Sequence, residues 1–198
     1  QSVNDITSMA SMGDINLFEP VNSSQLDYIL DFSINKTTSS SFIRLTSIPY
    51  KKIKLKNKSF KKIGAGTLLK DGNKITIIAV GPIMTNIGLE IIDLLKKNIG
   101  INCKLINTPW LNHFDLKWYE KNLNKTEYII TLENHYLKYG FGNYFISQLA
   151  INNLLNNAKV KQIGLKNKPA CGSNDEVLTH HSLDKNSIFK VIKSFIDE

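Results

Sequence analysis

The chain has 198 residues, 42% of them hydrophobic and 21% charged, which is enough to bury one large core or two small ones. No apolar run approaches the ~20 residues of a membrane helix, and the opening "QSVNDITSMA" has neither a charged n-region nor an apolar h-region, so a non-secreted, cytoplasmic protein without a membrane span is predicted. The net charge of +8 is local: seven lysines fall in "KKIKLKNKSFKK", residues 51–62, and Arg44 is the single arginine. Readers of bases and clamps of phosphate favour arginine forks. The run is therefore predicted to be a solvated interdomain connector, and no nucleic-acid partner is expected.

The first block starts with "VNDITSMASM" at helical spacing, followed by "INLFEP", a short apolar run stopped by Pro20. "NSSQLDYILDF" carries Asn/Ser cap chemistry ahead of an apolar helical face, and "SFIRL" is a compact strand. The block thus begins inside its own α/β alternation. After the lysines, "GTLLKDGNKITIIAV" predicts two short strands joined at an Asp-Gly-Asn turn. "GPIMTNIGLEIIDLLKKNIG" predicts a helix ended by Gly100, and "INCKLINTPWL" a strand. "HFDLKWYEKNL" predicts a short helix capped by Asp115, "EYIITLEN" a strand, "GNYFISQLAINNLL" a helix and "KVKQIGL" the last strand. "SNDEVLTHHSL" and "DKNSIFKVIKSFI" predict two closing helices, with Ser173 or Asn174 and Asp184 as caps. This alternation predicts an α/β fold with a mostly parallel sheet covered by helices on both faces, preceded by part of a second α/β domain. The predicted boundaries are 1–50, a lysine-rich connector at 51–65, and a main domain at 66–198.

The junction "ITLENHYLKYGFGNYFISQLA", residues 130–150, runs from a strand through an acid, an imidazole and two glycines into a helix. A dinucleotide fingerprint needs a third glycine where Phe145 stands. Gly140 and Gly142 are therefore read as a tight turn that lets the helix lie close on the sheet. Glu133 and His135 are open to two readings, an acid/base or metal pair or a structural pair. Cys103 and Cys171 are too far apart for a zinc or redox motif and point to a reducing compartment. His113 stands alone, and the adjacent His180 and His181 would point apart on a helix, so no metal site is predicted.

Taken in order, "DGNKITIIAVGPIMTNIGLEIIDLL", "GINCKLINTPWLNHFD", "YIITLENHYLKYGFGNYFISQLA" and "IGLKNKPACGSNDEVLTHHSLDKNSI" resemble the carboxy-terminal domain of the transketolase family of thiamine-diphosphate enzymes. The first block, "QSVNDITSMASMGDINLFEPVNSSQLDYIL", resembles the end of that family's pyrimidine-binding domain. The resemblance covers nearly the whole chain. It places Gln1 at the glutamine of a Gly-x-x-His-Gln turn, with the histidine, the glutamate that protonates the aminopyrimidine, and the diphosphate-binding domain all upstream. It implies a two-carbon ketol transferase, or one half of a split one, with thiamine diphosphate and magnesium in the complete enzyme. This segment alone would bind neither and would carry no catalytic residue. The implied partner is an N-terminal transketolase half, on the same chain or a separate subunit, in a homodimer or heterotetramer. Gln1, Arg44 and Ser47 are implied at the substrate channel. Ser47 stands where phosphosugar transketolases usually carry an arginine, so either Arg44 or an upstream group supplies the cation, or the substrates are not simple sugar phosphates. Glu133, His135, Gly140 and Gly142 are implied in packing or at an interface. The resemblance extends to 1-deoxyxylulose-5-phosphate synthase and the 2-oxoacid dehydrogenase beta subunit, and a non-catalytic dimerisation or docking module is the reading from another class.

Overall fold

The structure, a computed structural model, describes residues 3–55 and 57–198; Gln1 lies outside them. The first block folds as α1 (Asp5–Ala10), β1 (Ile15–Phe18), α2 (Ser23–Asn35) and β2 (Ser40–Ile43), with β1 and β2 parallel and Ile15 opposite Ser40. Asn22 caps α2 by accepting from the Gln25 amide at 3.0 Å. The helix buries Gln25, Ile29 and Phe32, one stripe at helical spacing. Phe32 and Phe18 meet Trp110 edge-on, with ring centroids 5.1 and 4.8 Å away. The far edge of β1 is closed by the main domain: the Leu111 amide donates to the Leu17 carbonyl and the Glu19 amide to that of Pro109.

The main domain contains β3 (Thr67–Lys70), β4 (Ile75–Ala79), α3 (Gly81–Ile99), β5 (Lys104–Asn107), α4 (Leu116–Leu123), β6 (Tyr128–Tyr136), α5 (Phe141–Ile151), β7 (Lys159–Leu165), α6 (Asn174–His180) and α7 (Lys185–Asp197). The five strands are ordered β3-β5-β4-β6-β7, all parallel except β3, which runs antiparallel to β5. The expected pairing of the two strands about the Asp-Gly-Asn turn does not form, because β5 lies between β3 and β4. The turn instead crosses the start of β5. A Cβ on Gly72 would stand 2.4 Å from the Cys103 carbonyl carbon, so this glycine is fixed by close backbone approach.

Successive residues on the central strands point to opposite faces. Ile77, Leu105 and Ile130 pack with Met84, Ile91 and Leu95 of α3 and Ile188 and Ile192 of α7. Ile78, Ile106 and Ile129 pack with Tyr119 of α4 and Phe141, Phe145 and Leu149 of α5. Each fully buried side chain of this size contributes roughly 1.5–3 kcal/mol, so the two apolar clusters fix both the register and which helix lies on which face. Among the described residues no helix is long and apolar enough to cross a membrane. The lysine-rich segment is pinned through its apolar residues. Ile53 and Phe60 are buried, and Trp110 Nε1 donates to the Phe60 carbonyl, while Lys51, Lys52, Lys54, Lys58, Lys61 and Lys62 are exposed. Lys51 and Lys62 pair with Glu90 and Asp115.

From β4 the chain moves to β5 on one side, then crosses to β6 on the other. The crevice of this open sheet therefore lies at the carboxyl ends of β4 and β6.

Candidate functional site

Parallel pairing puts the ends of β1 and β2 on one side, against the carboxyl ends of β4 and β6. Glu19 follows β1, Arg44 follows β2, Gly81 opens α3, and Glu133, Asn134 and His135 belong to β6. Arg44 is 8% exposed and Glu19 2%. Arg44 Nη1 donates to Glu19 Oε1 at 2.6 Å and to Asn134 Oδ1 at 2.9 Å, and its Nε donates to Asp5 Oδ2 at 3.0 Å. A guanidinium out of water needs opposite charge in fixed geometry, and the fork of donors takes two carboxylates and an amide at once. Burial pushes the Glu19 carboxyl up against the pull of Arg44. For Asp5 burial also acts upward, but His135 and Arg44 outweigh it and leave the carboxyl below its usual range.

Glu133 is fully buried and caps α5 from outside the helix: Oε2 accepts from the Phe141 amide at 3.0 Å and Oε1 from the Gly142 amide at 2.8 Å. These are two of the amides that a helix start leaves without partners. The glycines make the approach possible. A Cβ on Gly140 would stand 2.2 Å from the Tyr136 carbonyl oxygen and 2.5 Å from Glu133 Oε2, and one on Gly142 would stand 2.4 Å from Thr131 Oγ1. His135 is also fully buried, with Nδ1 3.3 Å from the Tyr136 carbonyl and Nε2 3.5 Å from Asp5 Oδ1.

Burial pushes the Glu133 carboxyl up to about 8 from an ordinary 4.5, with the Gly142 and Phe141 amides opposing it. A carboxyl raised on folding contributes stability that is complete below its unfolded value and is lost as pH rises through the folded value. The unfolding free energy should therefore fall over the window between 4.5 and about 8. In Glu133→Gln, which keeps one acceptor and cannot ionise, that component is absent. Urea unfolding near pH 5 and pH 8 should show the gap between wild type and Glu133→Gln narrowing as pH rises; a constant gap would contradict the assignment.

Of the residues singled out from sequence, Arg44, Glu133, His135, Gly140 and Gly142 come together in one buried cluster. Ser47 is exposed in the segment after β2, four residues past Ile43. Asp5 and Glu19 complete the cluster and escape a reading of the sequence; an acid at the end of an apolar strand, as in "INLFEP", is the signal that marks Glu19. Arg44 donates to two carboxylates and the Asn134 side chain, and it also lines a cleft with Val3 and Asn134. Among the described residues no group of three His, Cys, Asp or Glu side chains could hold a metal ion. The acids that do gather are closed by Arg44 and by helix amides, and they do not fit a magnesium diphosphate.

Fold and junction define an open, mostly parallel α/β domain whose crevice is filled by side chains of the segment preceding it. Residues 64–188 match the family described as transketolase, C-terminal domain, and the chain belongs to that family. It is 29% identical over 196 residues, 98% of its length, to 1-deoxy-D-xylulose-5-phosphate synthase of Halothermothrix orenii, and 25% identical over 187 residues to one of the apulose-4-phosphate transketolase subunits of Actinobacillus succinogenes. It spans 30% of the first relative and 59% of the second. Among solved structures, a split gene transketolase described as an inactive beta4 tetramer superposes with a TM-score of 0.80 at 20% identity, over 98% of this chain and 62% of that one. Transketolase from Campylobacter jejuni superposes with a TM-score of 0.71 at 18% identity, over 98% of this chain and 28% of that one.

Proposed function

We propose that this chain is the carboxy-terminal portion of a transketolase-like enzyme that transfers a two-carbon ketol unit between sugars, and that it works only with a polypeptide carrying the diphosphate-binding portion and the rest of the pyrimidine-binding portion. The observation that carries this reading is the match to the apulose-4-phosphate transketolase polypeptide across 94% of the chain, through both blocks rather than the family domain alone. Thiamine diphosphate supplies the nucleophile and electron sink when bound in the complete enzyme; it and magnesium belong to the upstream portion. The residues of this chain fix the domain junction: Arg44 ties the ends of β1 and β2 to β6, and Glu133, Gly140 and Gly142 hold the start of α5 against the same strand end. The assembly is a homodimer or a heterotetramer, working in the cytoplasm. The synthase match across 98% of the chain supports 1-deoxyxylulose-5-phosphate synthesis as the second reading. Titration calorimetry of the 198-residue chain with thiamine diphosphate and magnesium should give no heat of binding, whereas the chain joined to its upstream half should bind; micromolar binding by the chain alone would overturn the division of labour.

Ser47 is proposed as the specificity position of the acceptor and donor channel. A charged hydrogen bond contributes roughly 1.5–3 kcal/mol against about 1 for a neutral one, so Ser47→Arg in the assembled enzyme should raise kcat/KM for phosphorylated sugars by about tenfold. Non-phosphorylated sugars should gain nothing. An unchanged preference in steady-state kinetics would remove Ser47 from the channel.

A further inference from the structure

Two clefts open near α1 and the residues ahead of it. One, of about 520 Å³, is lined by Ile6, Thr7, Tyr139 and Tyr144, and the other, of about 460 Å³, by Val3, Arg44 and Asn134. The helix has six residues, no side-chain hydrogen bond at its N-cap and one buried residue, Ile6. A helix this short has no stability of its own, so tertiary ties hold it in place. Two of them are neutral: the Tyr136 amide donates to the Val3 carbonyl at 3.3 Å, and the Thr7 hydroxyl donates to the Tyr139 carbonyl at 3.0 Å. The charged tie is Asp5, one oxygen on Arg44 Nε at 3.0 Å and the other 3.5 Å from His135 Nε2. His135 Nε2 is buried and has no hydrogen-bond partner among the described residues. Arg44 Nε donates to this carboxylate and His135 Nε2 lies on its other oxygen's side, and both lie outside α1. The other acids nearby are committed elsewhere: Glu19 Oε1 takes Arg44 Nη1, and Glu133 takes the amides of α5.

We propose that Arg44 Nε and His135 Nε2 form a buried carboxylate-binding seat whose resident occupant is Asp5, and that α1 is a strap fastened by that side chain. Removing the carboxylate unfastens the strap and leaves a seat, beside the cleft lined by Arg44 and Asn134, that a small free carboxylate fills. This follows from the junction alone and holds whichever reaction the assembled enzyme performs.

Hydrogen exchange on the 198-residue chain tests it, with Asp5→Ala and Asp5→Asn each measured in sodium formate and in sodium chloride of equal ionic strength. In chloride, Asp5→Ala should raise exchange at the amides of Ser8, Ser11 and Met12, which close α1, and at Tyr136, by about tenfold or more, with the sheet interior unchanged. Formate should reverse the rise in Asp5→Ala, where the hole is free. It should not reverse it in Asp5→Asn, where the amide side chain fills the same space without charge. Equal exchange in formate and chloride for Asp5→Ala, closure of Asp5→Asn by formate, no rise at all, or a rise spread evenly through the sheet would each overturn the proposal.

Discussion

Arg44→Ala should lower the unfolding free energy by about 3–5 kcal/mol, because it leaves Glu19 and Asp5 facing each other without their cation. Glu19 is 2% exposed and one of its oxygens, Oε2, has no hydrogen-bond partner even with Arg44 present, so water offers the stranded charge little relief. The loss spreads over both blocks, since Asn134 on β6 also gives up a donor. In a chain of this length the change corresponds to a fall in Tm of about 6–20 °C. Adding Glu19→Gln to Arg44→Ala should recover part of the loss, because the second substitution removes the unpaired charge. A double-mutant cycle by urea unfolding should therefore show a coupling of about 1 kcal/mol or more. Costs that simply add would show that Arg44 and Glu19 do not stabilise one another.

The second large effect is expected at Gly140. Its backbone angles, φ −76° and ψ −176°, are open to any residue, so the glycine is there for space. An added methyl meets the Tyr136 carbonyl and the Glu133 carboxylate, a backbone atom and a side chain tied at both oxygens, and neither can give way. To admit it, α5 must slide off the end of β6, losing the bonds that Glu133 accepts from the Phe141 and Gly142 amides. Overpacking costs about 1–3 kcal/mol and each lost hydrogen bond about 1, so Gly140→Ala should cost about 3 kcal/mol or more. Gly13, whose added Cβ meets nothing within 4 Å, serves as the steric comparison, though its φ of +91° carries its own strain. Calorimetric melting reads both, and a Gly140→Ala protein that melts within a degree or two of wild type would contradict the close-approach account.

The elements are legible in the sequence because their signals are local. The cap at Asn22, the capping box of Ser173 with Glu176, the Asp115 and Asp184 caps and the left-handed Gly100 all stand within a few residues of the turns they close. Alternation of strands and helices likewise predicts a parallel sheet. Strand order is not local. The Asp-Gly-Asn turn looks like a hairpin turn, yet β4 is buried along its whole length and takes the centre with parallel partners on both sides, which sends β3 to the edge. The junction is legible in its main-domain half, where the acid of "LENHYLKYGFG" lies seven and nine residues from the two glycines and meets them across one turn. Its other half depends on partners 39 and 90 residues distant, Asp5 to Arg44 and Arg44 to Asn134, and no periodicity reports such pairs. Arg44, the single arginine, reads from sequence as one of the alternative sources of a cation at the substrate channel; its burial among carboxylates follows from two strands ending side by side and is not visible in the sequence.

The most direct measurement of the proposed function is two-carbon transfer by the reconstituted protein. The chain, its upstream half, thiamine diphosphate and magnesium are combined, and a ketose donor is offered with an aldose acceptor. The account predicts transfer only when both polypeptides are present, with the product two carbons longer than the acceptor. Release of carbon dioxide from pyruvate in place of ketol transfer, or a full complex that turns over neither, would contradict it.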